Sequence, residues 1–168
     1  MSEPRYRSER LTTIHDLSAF CCGNDILDAW LREHAVTSQA KRTSVSYVWT
    51  ADKTNVVAYY SLAPHLIERA ALPRHVSRGD PQQIPAILLA RLALDQKLRG
   101  MGLGSILLLD ALSRAAAASH QVGGRYVVVD AIDERAESYY QHHGFILTPA
   151  PRRLVRKVSD IEADIKVL

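Results

Sequence analysis

Three glycines stand at alternate positions in the stretch LDQKLRGMGLGSILLLDAL, namely Gly100, Gly102 and Gly104. They follow an apolar run typical of a buried strand and precede a long aliphatic pattern typical of a helix. Glycine adopts backbone angles that other residues avoid, and it lets a ligand approach peptide N–H groups without meeting a Cβ. A helix N-terminus adds unpaired N–H donors and the positive end of the helix dipole. This combination favours the binding of a phosphate group.

The spacing of these glycines excludes the two most familiar phosphate-binding turns. No Gly-Lys-Ser/Thr follows them, so the turn is not a P-loop. The pattern is Gly-x-Gly-x-Gly rather than Gly-x-Gly-x-x-Gly, and it lies in the second half of the chain, which disfavours a dinucleotide-binding Rossmann domain. Taken alone, the glycines support a tight turn without a ligand about as well as they support a phosphate site.

The elements that must position this turn are indicated by hydrophobic periodicity and by glycine and proline. The sequence predicts, in order, a helix at 23–42, strands at 44–50 and 56–62, an irregular segment at 65–85, a strand at 86–94, a helix at 104–119, a strand at 125–131, a helix from 134 that Gly144 ends, and a strand at 152–158. Residues 159–168 are ambiguous.

Asn24 or Asp25 is expected to cap the first helix. Its apolar face is expected to contain Ile26, Leu27, Trp30, Leu31 and Ala35.

These elements predict one mixed-sheet α/β domain that spans residues 1–168. The short polar link ADKTN predicts an antiparallel hairpin between the strands at 44–50 and 56–62. The strand–helix–strand unit at 86–131 is expected to pair its strands in parallel, with a right-handed crossover. Because 47% of the residues are hydrophobic, one domain of this length can bury a substantial core.

Two motifs on these elements resemble the signatures of the GCN5-related N-acetyltransferases (GNATs). Arg99, Gly102 and Gly104 fit Arg/Gln-x-x-Gly-x-Gly/Ala, and Tyr140, Gly144 and Phe145 fit Tyr-x-x-x-Gly-Phe about 30 residues further on. The resemblance implies a GNAT fold, which is a mixed central sheet with a splayed parallel strand pair and flanking helices. It also implies acetyl-CoA as the cofactor.

The resemblance further implies roles for particular residues. Backbone groups of Leu92, Ala93 and Leu94 would hold the pantetheine arm and offer an N–H to the oxyanion. The pyrophosphate would be held by the main-chain amides of Arg99, Gly100, Met101, Gly102, Leu103, Gly104 and Ser105. Tyr140 would be the general acid that protonates the leaving thiolate. Asp133 stands where many members have an asparagine that touches the cofactor, and an ionised carboxylate cannot donate that hydrogen bond.

From about residue 18 to 158, the chain looks like the GNAT-type toxins of bacterial toxin–antitoxin pairs. Those toxins acetylate the free α-amine of aminoacyl-tRNA and so block translation. The resemblance implies a homodimer and an antitoxin partner that is typically a ribbon–helix–helix protein. Because a tRNA backbone demands positive charge, six arginines are candidate substrate contacts. They are Arg69, Arg74, Arg78, Arg152, Arg153 and Arg156.

Other readings stay open from the sequence. The net charge of +3 permits an anionic partner without requiring one. A GNAT enzyme acting on protein N-termini or small amines, or a CoA-binding module without catalysis, would keep the same glycine motif. The adjacent Cys21 and Cys22 suggest neither a disulfide framework nor a metal site, and His142 and His143 are expected at the surface. The polar N-terminal residues and the lack of a long apolar stretch predict a cytoplasmic protein without membrane association.

Overall fold

The structure is a computed structural model that describes residues 6–167. Its strands are β1 (Glu9–Arg10), β2 (Val45–Thr50), β3 (Val56–Glu68), β4 (Gln83–Leu94), β5 (Tyr126–Asp130), β6 (Ile146–Leu147) and β7 (Arg153–Lys157). Its α-helices are α1 (Asp25–Glu33), α2 (Ala35–Ala40), α3 (Arg74–Ser77), α4 (Leu103–Val122), α5 (Glu134–His142) and α6 (Val158–Val167). Short 3-10 turns occupy Arg69–Ala71 and Gln96–Leu98.

The strands form one mixed sheet in the order β1-β2-β3-β4-β5-β7-β6. The predicted hairpin is confirmed, because β2 and β3 pair antiparallel. The predicted parallel pair is also confirmed: β4 and β5 pair from Ala86 with Tyr126 to Leu88 with Val128. Both strands continue beyond this short ladder, β4 to Leu94 and β5 to Asp130. The mixed α/β fold class predicted from the sequence is therefore the observed one.

The chain divides into two compact units, of which the first comprises Met1–Ala63 and Ala90–Ala111. Its core includes Phe20, Leu31, Tyr59 and Ala93, with α1 and α2 packed over it. The single helix predicted at 23–42 is wrong, because the chain breaks at His34 into α1 and α2. Of the two predicted caps, Asn24 and Asp25, it is Asn24 that caps α1, and its side-chain oxygen accepts from the amides of the next turn. Ile26 is not on the buried face, since 80% of it is exposed.

The second unit comprises Pro64–Leu89 and Leu112–Leu168. Its core includes Ile84, Tyr126, Val128 and Val155. The segment predicted as irregular at 65–85 is largely ordered, since β3 runs into it, α3 lies within it and β4 begins before it ends. Pro85 lies inside β4, where its carbonyl accepts from the amide of Arg125. The ambiguous segment after residue 158 forms α6.

The prediction that residues 1–168 form a single domain stays a prediction. Within residues 6–167, no helix combines the length and the apolar character needed to cross a membrane.

Candidate active site

A buried carboxylate organises the turn between β4 and the glycines. Asp95, 4% exposed, follows the strand directly, and its side chain accepts hydrogen bonds from the amides of Lys97 at 2.9 Å and Cys21 at 3.2 Å. Its own amide donates to the carbonyl of Val57 at 2.8 Å. These bonds fix where the chain leaves the sheet, so they determine where the glycine turn begins.

The glycine turn presents open backbone at the start of α4. Gly100 and Gly102 have φ angles of +79° and +73°, in the left-handed region that glycine adopts without strain. A Cβ added at either position would meet no atom within 4 Å. It would therefore occupy the space through which a ligand reaches the backbone. The first amides of this long helix, from Leu103 onwards, lack intrahelical acceptors. The turn thus offers the open backbone and free amides that the predicted pyrophosphate site requires.

Arg99 is more constrained than its place beside the glycines suggests. Its guanidinium donates to the carbonyl of Cys22, and a Cβ on Gly23 would lie 2.6 Å from one guanidinium nitrogen. Its main-chain amide donates to the carbonyl of Gln96 at 3.3 Å, so this member of the predicted pyrophosphate-binding set already has an acceptor. Arg99 therefore holds the glycine turn against the segment that precedes α1.

The predicted pantetheine-binding residues Leu92, Ala93 and Leu94 are the last three residues of β4. Ala93 is buried in the core of the first unit, whereas the two leucines are half-buried. Of the amides predicted to hold the pyrophosphate, those of Gly104 and Ser105 lie in the first turn of α4, and Met101 is exposed between the two left-handed glycines. Cofactor contacts by these residues stay a prediction.

The second motif forms the C-terminal end of α5 in the second unit. The amide of Phe145 donates to the carbonyl of Tyr140 at 3.0 Å, and that of Gly144 donates to Gln141 at 3.1 Å. These two bonds define a Schellman cap, which requires the left-handed φ of +88° seen at Gly144. The rings of Tyr140 and Phe145 meet edge to face at 5.5 Å. The motif therefore fixes the Tyr140 ring through the buried Phe145.

The hydroxyl of Tyr140 is set up to remain protonated. Within residues 6–167 it makes no hydrogen bond. Burial of the side chain raises the pKa of Tyr140, and the neighbouring Tyr139 adds to that effect. A tyrosine in this state can donate a proton at neutral pH.

Asp133 has a structural role at the other end of α5. One of its carboxylate oxygens accepts from the amide of Ala136 at 2.8 Å, which makes Asp133 the N-cap of the helix. An asparagine could cap in the same way. The contact between Asp133 and the cofactor stays a prediction.

The histidine pair lies at the C-terminal end of α5. His142 is exposed, and the His143 ring packs edge to face against Tyr139 at 4.6 Å. Burial lowers the pKa of His143, with smaller contributions from His142 and Arg156. In the part of the chain that the structure describes, no group of three His, Cys, Asp or Glu side chains could hold a metal ion.

The six arginines predicted to contact tRNA lie in the second unit and separate into two groups. Arg74, Arg78 and Arg152 are exposed, and their side chains have no partner among the described residues. The other three are engaged. Arg69 donates to the carbonyl of Asp80 at 2.8 Å. Arg156, whose side chain is 12% exposed, is paired with Asp164 and packs against Gly144.

Arg153 is the most firmly held of the engaged arginines. It makes a bidentate pair with Asp130, at 2.7 and 2.8 Å, and its remaining terminal nitrogen lies 3.1 Å from Nε2 of His65. The hydrogen bonds from Arg153 lower the pKa of Asp130. Burial, followed by the charge of Arg153, lowers the pKa of His65. His65 is thus held neutral, with Nε2 accepting from Arg153.

Sequence analysis did not single out Arg91. Arg91 lies near the C-terminal end of β4, with its guanidinium carbon 3.8 Å from the centre of the Trp30 ring. A signal was present, because an arginine interrupts the otherwise apolar run AILLARLAL.

Comparison with known proteins agrees with the fold. Residues 44–147 match the family model described as an acetyltransferase (GNAT) domain. A tRNA-acetylating toxin of Mycobacterium tuberculosis is 36% identical over 155 residues, which cover 92% of this chain and 93% of that protein. This chain belongs to the GNAT acetyltransferase family.

Solved structures extend the comparison to complexes. The toxin AtaT complexed with acetyl-methionyl-tRNAfMet superposes with a TM-score of 0.87 at 30% identity, covering 95% of this chain and 99% of that one. A mutant of AtaT bound to the C-terminus of its antitoxin AtaR and to acetyl-CoA superposes with a TM-score of 0.82 at 28% identity, covering 97% and 99%.

Proposed function

We propose that this protein is an acetyl-CoA-dependent N-acetyltransferase toxin that acetylates the α-amine of aminoacyl-tRNA and so blocks translation. The observation that carries the proposal is the Schellman cap after α5, which fixes the Tyr140 ring against Phe145 in a setting where burial raises the pKa of the hydroxyl. The likeness to a tRNA-acetylating toxin over nearly the whole chain supports the choice of acceptor.

Acetylation of the α-amine of aminoacyl-tRNA does not require a strong general base from the protein. A free α-amine titrates near pH 7.7–8.0, about two units or more below a lysine side chain. The electron-withdrawing ester of an aminoacyl-tRNA lowers the pKa of that amine further, so much of it is neutral at cellular pH. The protein can therefore rely on positioning the amine rather than on deprotonating it.

Acetyl-CoA supplies the acetyl group as an activated thioester. The open amides around Gly100 and Gly102 and at the start of α4 would hold its pyrophosphate. Tyr140 Oη holds the proton that the departing thiolate needs. The proton lost by the amine leaves to solvent, which is consistent with the lack of an obvious base.

The proposal extends to location and partners. A toxin of this kind acts in the cytoplasm, where charged tRNA is found. We include a homodimer and a ribbon–helix–helix antitoxin in the proposal; the complex of AtaT with the antitoxin AtaR supports an antitoxin in general.

The proposal is tested by transfer of labelled acetyl groups from acetyl-CoA to a mixed pool of charged tRNA. We compare the wild-type protein with Tyr140→Phe and with the matched control Tyr139→Phe. We expect label in the aminoacyl fraction with the wild type and with the control. With Tyr140→Phe, we expect the amount of that label to fall about 100-fold or more.

An unlabelled pool, from protein that binds acetyl-CoA in a separate assay, would overturn the proposal. Turnover on small amines or on peptide N-termini would then identify the acceptor class.

A further inference from the structure

Arg91 is held in place by a column of aromatic rings in the first unit. Its guanidinium lies 3.8 Å above the Trp30 ring, which in turn stacks on Tyr59 with a 6.2 Å separation and an 11° interplanar angle. Tyr59 is fully buried, and its hydroxyl donates to the carbonyl of Leu27 at 2.7 Å. The position of the guanidinium is therefore set by rigid, packed groups.

This cation has no acidic partner in the described chain. Its side chain makes no ion pair or hydrogen bond with residues 6–167, in contrast to Arg153 and Arg156, which are paired with carboxylates. Burial lowers the pKa of Arg91, and the nearby Tyr59 is the sole opposing influence identified. Arg91 is only half-buried, so part of the residue remains exposed. A fixed, partly dehydrated guanidinium without an acidic partner among the described residues is suited to an anion.

The place of Arg91 in β4 connects it with the reaction. It directly precedes Leu92, the first of the residues predicted to hold the pantetheine arm. Strand alternation puts Arg91 on the same face as Ala93, which belongs to the core beneath α1. Trp30 contacts the guanidinium of Arg91 and also stacks on Tyr59, so it ties Arg91 to the packed rings of the first unit.

We propose that Arg91 is a substrate-binding residue that takes a phosphodiester of the acceptor end of tRNA. The inference rests on the proposed function, and it adds to that function a specific RNA contact in the first unit. The planar guanidinium presents its N–H edge to two phosphate oxygens while its face rests on Trp30. This contact positions the charged end of the RNA without taking part in proton transfer.

The test uses Arg91→Ala, Arg91→Lys and the exposed hairpin variant Lys53→Gln as a control that removes a charge elsewhere. Three quantities are measured: KM and kcat for charged tRNA, the Kd of CoA by calorimetry, and the Kd of uncharged tRNA as a function of salt. Arg91→Ala is expected to raise KM for charged tRNA about tenfold to 100-fold, with kcat and the CoA Kd nearly unchanged. The salt slope of tRNA binding should fall by about one.

Arg91→Lys separates charge from geometry. It should keep the salt slope of the wild type but bind tRNA more weakly, because lysine lacks the planar fork that stacks on Trp30. Lys53→Gln should match the wild type in KM. Thermal unfolding of each variant checks that the loss of binding is not a loss of fold.

Two outcomes would overturn the inference. If the CoA Kd weakens and tRNA binding does not, the phosphate that Arg91 contacts belongs to the cofactor. If neither changes, Arg91 is a packing residue. Failure of the proposed function is recognised separately, because the wild-type protein would then leave charged tRNA unacetylated whatever happens at Arg91.

Discussion

At the scale of single residues, Tyr140 has a structural role in the fold and is also the proposed general acid. Its carbonyl accepts the bond that closes the cap on α5, its ring packs on Phe145, and its hydroxyl remains unpaired among the described residues. Tyr139 has different surroundings, since its ring contacts His143 as well as Tyr140. The two adjacent tyrosines are therefore not interchangeable, and this is why Tyr139→Phe is a fair control.

The raised pKa of Tyr140 predicts the shape of the pH profile. A raised pKa means that the Tyr140 hydroxyl stays protonated to higher pH. A general acid that acts in its protonated form therefore remains active up to about pH 10. We expect kcat/KM to rise as the substrate amine loses its proton, with a midpoint below about pH 8, and then to stay level. Initial rates between pH 6 and 10 provide the measurement. A descending limb between pH 7 and 9 that disappears in Tyr140→Phe would contradict this prediction.

At the scale of elements, the turns at the two motifs require glycine for different reasons. Gly102 has a positive φ and open space where a side chain would point. Gly144 also has a positive φ, but a Cβ there would lie 2.9 Å from Nε of Arg156. The first glycine leaves room for a ligand, and the second leaves room for the protein's own side chain.

This difference predicts unequal effects of the same substitution. Gly102→Ala and Gly144→Ala both incur the strain of a left-handed alanine, about 1–2 kcal/mol, which lowers Tm by about 2–8 °C in a chain of this size. Gly144→Ala should lower Tm more, because it also displaces Arg156. Gly102→Ala should weaken CoA binding about tenfold or more. Thermal unfolding and calorimetry of the two variants measure both effects; equal loss of CoA affinity would refute the distinction.

At the scale of the whole molecule, the distribution of charge matters more than its sum. The net charge is only +3, and three of the six arginines predicted to contact tRNA are held by carboxylates or carbonyls of the protein. The exposed Arg74, Arg78 and Arg152 are left to act on a distant anion. We therefore expect the exposed arginines to contribute to association with RNA and the paired ones to contribute to the fold.

Two sets of variants are therefore expected to behave differently. Replacing Arg74, Arg78 and Arg152 together by Gln takes the formal net charge from +3 to zero, and it should weaken tRNA binding and reduce its salt slope while leaving Tm nearly unchanged. Arg153→Gln breaks the bidentate pair with Asp130 and should lower Tm, with a smaller effect on the salt slope. Binding titrations at several salt concentrations and thermal unfolding provide the comparison. A similar loss of Tm in both sets would show that the grouping is wrong.

Much of the local structure could be predicted because its causes lie within a few residues. The hairpin between β2 and β3, the parallel pair of β4 and β5, the Asn24 cap and the end of α5 at Gly144 all follow from periodicity, capping and turn preferences. Both acetyltransferase motifs were also visible, since each is a short stretch on one element. The sequence by itself thus determined the fold class and the family.

Only the tertiary structure decided those features that depend on residues distant in the sequence. The two-residue strands β1 and β6 exist through pairing with β2 and β7, and no local pattern marks them. The break at His34 and the exposure of Ile26 depend on how the first helix meets its core. Whether an arginine is free or paired depends on a carboxylate elsewhere in the chain: Arg153 and Asp130 are 23 residues apart. The physical reason is that packing and ion pairs join residues through space, whereas periodicity and capping act along the chain.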